Sequence, residues 1–410
     1  LMIAYEGAFD PVTEERIEKE ARARAETYLE YIKQAAAASG VECDTVCETN
    51  DHPYDAIIKA AESKGCDLIV LHSHGRKGLA AALLGAAPEA VVLTASDTDG
   101  WTRAVWGLVL GGRIGRGRRI LVDRAAYDSH AMALLQACRL TGAVLEVVAS
   151  TAEGTLDLEA LEAALAGGDV ALACLTHVGT HRGLVNPVEE AGPRCAAAGA
   201  LVAVDACQSL GQLPVDVERI RCDILTGTGR KWLRGPRGTG LLFVRPEVAE
   251  TMAPVGVDGR SAVWDADDHV TMRAGVQRFV PFEAPVALHL GLGTAIDHAR
   301  ALGIEEIAAR VGTVAESLRT LLATIDGVDV HDGGTRRCGI VTFTVAGTTP
   351  PEVVAAAAAA GVNLSATDTP AARLDLAPPR PPAVVRASPH YLTTDEELAR
   401  LAEVVAAVAP

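Results

Sequence analysis

The chain has 410 residues, 49% hydrophobic and 22% charged, enough for two or three domains around a large core. Its formal net charge of −16 argues against a nucleic-acid partner, which needs a basic face, and no apolar run of about 18 residues or signal-like segment suggests a membrane span or export. The nine cysteines are scattered with no CxxC pair, so neither a zinc or other metal site nor a disulfide framework is expected, and the thiols read as free in a cytoplasmic protein.

From the N-terminus, Ala38–Cys47, then the run from His52 to Leu71, then His72-Ser-His-Gly-Arg-Lys-Gly-Leu79 form one group of segments. They resemble the later half of a universal stress protein domain, a family in which a glycine-rich turn between strand and helix holds ATP phosphates on backbone N–H groups and a helix N-terminus. Gly75 and Gly85 fit that pattern. His72 stands at the pattern's first glycine, Ala86 at its hydroxyl residue, and the nucleotide-contacting aspartate strand is missing, so ATP binding is not expected. A plain strand-to-helix turn is the alternative. Gly85-Ala-Ala-Pro-Glu-Ala-Val-Val-Leu93 then leads onward without a Gly-, Ser- or Pro-rich linker. With Leu1 as the first residue, we read 1–85 as a partial stress-protein-like α/β segment that replaces the N-terminal part of the domain it precedes, through recombination, truncation or misassembly.

From 91 to about 245, strands alternate with Ala-rich helices: Ile120–Asp123, Val144–Val148, Val170–Leu175, Ala200–Asp205 and Leu241–Val244 read as buried strands. Such alternation predicts an α/β fold, a large mostly parallel sheet with helices on both faces. Residues 285–300 and 305–325 read as long helices. Between 339 and 410 come two strand-like runs, a poly-Ala helix at 355–360 and a last helix begun by Thr394 and the acidic residues 395–397, which favour the positive end of a helix dipole. This reads as a small α+β domain whose Pro-rich stretch 377–382 is a loop. The predicted division is 1–85, 86–300 and 301–410. Cys338, at the start of an alternating strand, is assigned to packing rather than to sulfur transfer.

The chemistry concentrates in Thr226-Gly-Thr-Gly-Arg-Lys-Trp-Leu-Arg-Gly-Pro-Arg-Gly238 and in Val204-Asp-Ala-Cys-Gln208. A lysine that condenses with an aldehyde must be partly deprotonated, and cationic company such as Arg230 together with partial burial favours that at Lys231. A carboxylate against a pyridine nitrogen keeps it protonated, so that the ring can accept electrons when a bond to a substrate Cα breaks. Asp205, at the carboxyl end of an apolar strand where α/β folds bind ligands, is placed for this, and Gln208 is a turn further on, in reach of a phenolic oxygen. Taken singly, Lys231 is a surface lysine and Asp205 a strand-ending residue; taken together they read as a pyridoxal 5'-phosphate (PLP) site.

With those motifs, residues from about 86 to 410 resemble the class V aminotransferase group of fold-type I PLP enzymes, which includes cysteine desulfurases, isopenicillin N epimerase-like proteins and the C–S lyase of ergothioneine synthesis. The resemblance places Thr94-Ala-Ser-Asp-Thr98 at the phosphate-binding turn, making Ser96 and Thr98 phosphate donors, with Asp97 a misfit whose carboxylate would repel the phosphate. It makes Tyr127 the ring that stacks on the cofactor, brings Thr180, His181 and Arg182 over the cofactor, and lets Thr228 and Arg230 reach the phosphate. Val385-Arg-Ala-Ser-Pro-His-Tyr-Leu-Thr-Thr394 resembles the signature whose arginine grips a substrate carboxylate through a two-pronged ion pair, making Arg386 the substrate anchor. Arg278-Phe279 and Glu283 lie where some relatives place a threonine that crosses to a partner subunit, but no Gly-Thr follows here. The resemblance also implies a homodimer.

Three classes of function follow. A PLP enzyme acting on an amino acid, with β-elimination at sulfur ahead of transamination or epimerisation, must bind PLP covalently. A stress-protein-like binding module with an inert enzyme part must bind nucleotide. A catalytically impaired hybrid would do neither well.

Overall fold

The structure, a computed structural model, describes residues 76–410 except 370, 371 and 377–379, together with 22, 26, 29, 30, 33, 34, 36, 37, 40–47 and 59–65. The chain divides into two compact units, residues 1–73 and 74–410. Within the first unit, residues 59–63 are helical and Lys64 pairs with Asp44, whose carboxyl it holds below the usual range. The turn residues His72 and Gly75 lie outside the described residues.

The second unit begins with helix α1 (Arg76–Leu83). Gly85 stops it: at φ +64° it adopts the left-handed conformation, and the Ala86 N–H turns back to the Ala81 carbonyl at 2.9 Å. The glycine singled out in the sequence as a phosphate-turn residue thus closes a helix whose Ala80, Ala81 and Leu84 are fully buried in a sheet-facing core.

Beyond α1 come β1 (Val91–Thr94), α2 (Asp97–Leu110), β2 (Arg119–Val122), α3 (Asp128–Thr141), β3 (Val144–Val147), α4 (Leu158–Ala166), β4 (Val170–Thr176), α5 (Val188–Ala197), β5 (Leu201–Asp205), β6 (Ile224–Thr228) and β7 (Gly240–Val244). The seven strands form one sheet in the order β1-β7-β6-β5-β4-β2-β3. Strands β6 through β3 along that order run parallel, and β7 is antiparallel to both of its neighbours. The strands are near-continuous apolar runs because helices cover both faces: along β4, Leu172 and Cys174 enter one core while Ala173 and Leu175 enter the other. Trp101 and Leu108 of α2 and Leu134 of α3 fill the first core, and Leu161 and Leu165 of α4 with Ala191 and Cys195 of α5 fill the second. The parallel sheet read from the sequence is therefore present, with the carboxyl ends of β4 and β5 at one edge.

After α6 (Pro246–Ala249), a two-stranded hairpin that the sequence did not signal, β8 (Ala262–Ala266) with β9 (His269–Met272), precedes the long helices α7 (Val286–Leu302) and α8 (Ile304–Ala323). The C-terminal part is an antiparallel sheet in the order β10-β11-β13-β12, formed by β10 (Val328–Val330), β11 (Val341–Val345), β12 (Ser365–Asp368) and β13 (Ala383–Ala387). Helices α9 (Pro350–Ala359) and α10 (Asp395–Val408) cover it. Thr394 starts α10 through a reciprocal cap, its hydroxyl accepting from the Glu397 N–H at 3.3 Å and the Glu397 carboxylate accepting from the Thr394 N–H at 2.9 Å. Cys338 is buried, as its packing assignment requires, and burial pushes its thiol up to about 12.

The turn that carries Lys231 rests on Gly211. At φ +92°, a Cβ added there would lie 2.6 Å from the Leu233 nitrogen and 2.7 Å from the Trp232 carbonyl carbon. Gly211→Ala should cost roughly 1–3 kcal/mol through overpacking against backbone that cannot yield, on top of the strained φ. An unchanged denaturation midpoint would show that the 231–234 turn is not held by this contact.

Candidate active site

Three loops at the carboxyl edge of the parallel sheet bring the sequence-predicted residues together. Asp205, the last residue of β5, is buried, and its Oδ1 accepts from the Cys207 N–H at 2.8 Å. Lys231, in the β6–β7 turn, donates from Nζ to the Cys207 Sγ at 3.2 Å and stands 5.8 Å from the centroid of the Tyr127 ring. Burial, with Asp97 adding to it, keeps the Cys207 thiol well above its ordinary pKa, so it meets the amine as a neutral group. Tyr127, at the N-cap of α3, is 37% exposed, so one side of its ring is open to a ligand.

The phosphate-turn residues divide. The Ser96 hydroxyl caps α2 by accepting from the Asp99 N–H at 3.0 Å, whereas Thr98, two residues on, keeps an exposed hydroxyl 3.1 Å from that of Ser129. The Thr228 hydroxyl donates to the Thr239 carbonyl at 3.2 Å, and Arg230 is exposed. The Gln208 side-chain Oε1 accepts from the Trp232 indole N–H at 3.2 Å, tying the β5 loop to the lysine turn.

The 177–187 loop after β4 folds over this edge because Asn186 clamps it, donating to the Thr176 carbonyl at 2.7 Å while its carbonyl oxygen accepts from the Leu156 N–H at 2.8 Å. His181 is buried with Nδ1 unpartnered; burial first, then the charges of Arg386 and Lys231, pushes its pKa down to about 4, so its ring is neutral at pH 7. Arg386 of β13 donates to the Thr180 carbonyl at 3.3 Å and holds an unpartnered buried Nε. Burial lowers its pKa and Arg230 lowers it further, while the Tyr127 hydroxyl works the other way, so these side chains share one neighbourhood. Arg182, expected at the substrate, is placed differently: its guanidinium donates to the Glu153 carbonyl at 2.8 Å and lies 3.5 Å from the buried Asp375 carboxylate. At φ 71° its backbone turns the side chain away, and it serves to pin the loop.

Asp97 also departs from its sequence reading. Its carboxylate turns into the core, where Oδ2 lies 2.8 Å from the Nε2 of His130, and the Nδ1 of the same ring lies 3.3 Å from Asp205 Oδ2. The expected repulsion with a phosphate does not arise. His130 was not singled out in the sequence; its only signal was an acid misplaced at 97 and a histidine three residues past Tyr127. Donor atoms of Asp97, Asp205 and Cys207 lie within 4.8 Å of one another, the geometry of a possible metal cluster, yet the His130 ring and the Lys231 amine already answer them.

Comparison with known proteins gives the family and the fold. The family model "Aminotransferase class-V" matches residues 35–401, a span that reaches into the stretch that resembled a stress protein. The chain is 27% identical over 332 residues to a probable cysteine desulfurase of Methanothermobacter thermautotrophicus, spanning 80% of this chain and 82% of the relative. Its fold is similar to that of the apo cysteine desulfurase of Thermococcus onnurineus NA1, with a TM-score of 0.77 and 22% identity over 87% of this chain and 91% of that one. It is also similar to a lysine-to-alanine mutant of C-DES with glycine covalently linked to its PLP cofactor, with a TM-score of 0.70 and 23% identity over 86% and 91% of the two chains. With the family model spanning nearly all of its sheet and its small C-terminal part, the chain belongs to the class V aminotransferase family.

Proposed function

We propose that this chain is a PLP-dependent enzyme that breaks a carbon–sulfur bond of an amino acid by β-elimination. The observation that carries the reading is the meeting, at one edge of the sheet, of the Lys231 amine, the buried Asp205 carboxylate and two buried, unpartnered nitrogens, His181 Nδ1 and Arg386 Nε. The relative named as a cysteine desulfurase and the neighbour that holds PLP support it.

The residues present fit the cofactor. Lys231 would be the attachment point for its aldehyde, Asp205 would hold its ring nitrogen and Tyr127 would offer a ring to stack on. The first turn of α2 with Ser96 and Thr98, joined by Thr228 and Arg230, would take its phosphate, and Gln208 and Thr180 would border the ring. Lys231 would take the proton from the substrate Cα. When bound, PLP would supply an electron sink for the pair so left at Cα, which in turn lets the Cβ–S bond break with sulfur leaving with the bonding pair. Arg386 grips the substrate carboxylate, the buried neutral His181 donates or accepts a hydrogen bond beside it, and Arg182 keeps their loop closed.

The division into 86–300, which carries the cofactor site, and 301–410, which supplies Arg386, is part of this reading. So are a cytoplasmic location, read from scattered cysteines with no CxxC pair, and a homodimer, supported by the exposed side chains Trp264, Phe282 and Val286. Among the described residues no helix is long and apolar enough to cross a membrane.

The test is a visible-absorption titration with PLP followed by assays on cysteine conjugates. A lysine-dependent band with release of a sulfur product, ammonia and a keto acid is expected. Transfer of the amino group to a keto acid, or inversion at Cα with sulfur retained, would hand the reading to the aminotransferase or epimerase alternative; no band at all would remove PLP. Asp205→Ala should keep the covalently attached cofactor yet lower turnover by roughly 10²–10³-fold, the scale of losing one aimed electrostatic partner. Full turnover in that variant would show that Asp205 does not face the ring.

A further inference from the structure

We propose that His130, clamped between Asp97 and Asp205, is a positioning residue that aims the Asp205 carboxylate at the cofactor's ring nitrogen and keeps it charged. This rests on the PLP reading above and adds to it a histidine and an acid beneath the cofactor.

The geometry is specific. His130 is 2% exposed, its ring lies flat on Trp101 at a centroid distance of 4.1 Å with 7° between the planes, and the Tyr127 ring meets it edge-on at 6.0 Å. Stacking on a buried indole fixes the plane of the imidazole, so its two nitrogens point in set directions. Each direction ends on a carboxylate: Asp97 Oδ2 at 2.8 Å from Nε2 and Asp205 Oδ2 at 3.3 Å from Nδ1. The hydrogen bond of the ring is the one between Nε2 and Asp97, while at 3.3 Å Nδ1 faces Asp205 through charge; a neutral imidazole would turn a bare lone pair toward one of the two carboxylates, and only the doubly protonated ring presents an N–H to each. The other Asp205 oxygen is fixed by the Cys207 N–H, so the whole carboxylate is held from two sides.

The charges around the ring agree with that protonation. Burial by itself drives the proton off His130, but Asp205 from the end of β5 and Asp97 from the first turn of α2 outweigh it, with Lys231 in the β6–β7 turn opposing, and the net shift is upward. Asp205 is pushed up to about 6, by burial first and then by Asp97, while His130 pulls it back. Without the histidine, two buried carboxylates would face each other and Asp205 would take up a proton, which a carboxylate meant to hold a ring N–H cannot do.

The test uses the full chain with and without PLP. In the cofactor-free chain, ¹⁵N-histidine NMR should show His130 carrying protons on both nitrogens at neutral pH, and Asp97→Asn should lower the pH at which it loses one. In the loaded chain, His130→Phe, which keeps a ring against Trp101 but removes both donors, should weaken PLP binding by roughly 10- to 100-fold, the scale of a hydrogen bond to a charged group. It should also move upward the pH midpoint of the visible band, since a cation near the attached lysine is gone. His130→Asn, which restores a single donor, should recover part of both. If His130→Phe fails to fold, the NMR signal and the Asp97→Asn variant decide alone. A neutral His130 with unprotonated Nδ1, or a band midpoint and PLP affinity unmoved in folded His130→Phe, would overturn the proposal. Failure of the wild-type chain to bind PLP would instead overturn the PLP reading, and the cofactor-free NMR result would still decide whether the clamp exists.

Discussion

Lys231→Ala should remove both the visible band and the borohydride-reducible bond between PLP and protein, and lower turnover on any cysteine conjugate by roughly 10²–10⁴-fold or more, the scale of losing a proton-transferring group. The reason is positional. Lys231 is the amine held between the Tyr127 ring and the Cys207 thiol, at the same edge of the sheet as Asp205 and Arg386. Its turn is braced by the Gly235 N–H on the Gly229 carbonyl at 2.7 Å and by the Arg234 N–H on the Lys231 carbonyl at 2.9 Å, so truncating the side chain should leave the fold standing. Absorbance with and without borohydride, on protein whose melting curve matches the wild type, is the measurement. A reducible adduct surviving in Lys231→Ala would mean that another amine carries the cofactor.

Arg319→Ala should be the most destabilising single change, by about 3–5 kcal/mol, because it strands a buried carboxylate. Arg319 of α8 donates through Nε to Asp332 Oδ2 at 2.7 Å and through Nη2 to the Cys338 and Ile340 carbonyls at 2.8 and 2.9 Å. The Asp332 side chain is 0% exposed, and its other oxygen accepts from the Thr342 N–H at 2.9 Å and hydroxyl at 2.7 Å. One arginine thus joins α8 to the strand β11 and to the segment before it. That segment in turn holds the loop carrying His181, since the Cys338 N–H donates to the Gly183 carbonyl at 2.7 Å and the Gly333 N–H to the Arg182 carbonyl at 3.0 Å. Denaturant unfolding should show a lowered midpoint at unchanged slope, and a weaker grip on substrate should accompany it. Replacing Arg319 and Asp332 together with apolar residues of similar volume should recover much of the loss, because no unpaired charge remains. A loss below about 1 kcal/mol in Arg319→Ala would show that the pair is solvated.

Local chemistry explains which expectations the structure matched. Residues that act through backbone pattern were legible: the apolar runs became strands of the large sheet, parallel except β7, Thr394 with its three acids began α10, and the run that ends in Asp205 put that carboxylate at the sheet's edge. The segments quoted for the class V resemblance led to the family that the comparison shows. Residues whose task depends on which way a long side chain turns were not legible. Arg182 stands beside His181 in sequence, but a left-handed backbone sends its guanidinium to Asp375 nearly two hundred positions away. Gly85 fitted a nucleotide turn by spacing, and a spacing cannot tell a phosphate cradle from a helix stop, since both need a residue at ease with positive φ.

The sequence by itself determined the alternation of strands and helices in the large sheet, the family, and the candidate lysine and carboxylate, because periodicity, turn chemistry and motif spacing are written within a few tens of residues. Only the tertiary structure decided that Asp97 turns inward to His130, that His130 meets Asp205, and that Arg386 of the C-terminal sheet reaches the Thr180 loop. Those partners come from separate elements, and what joins them is the burial of polar groups that must find complementary charge once water is excluded.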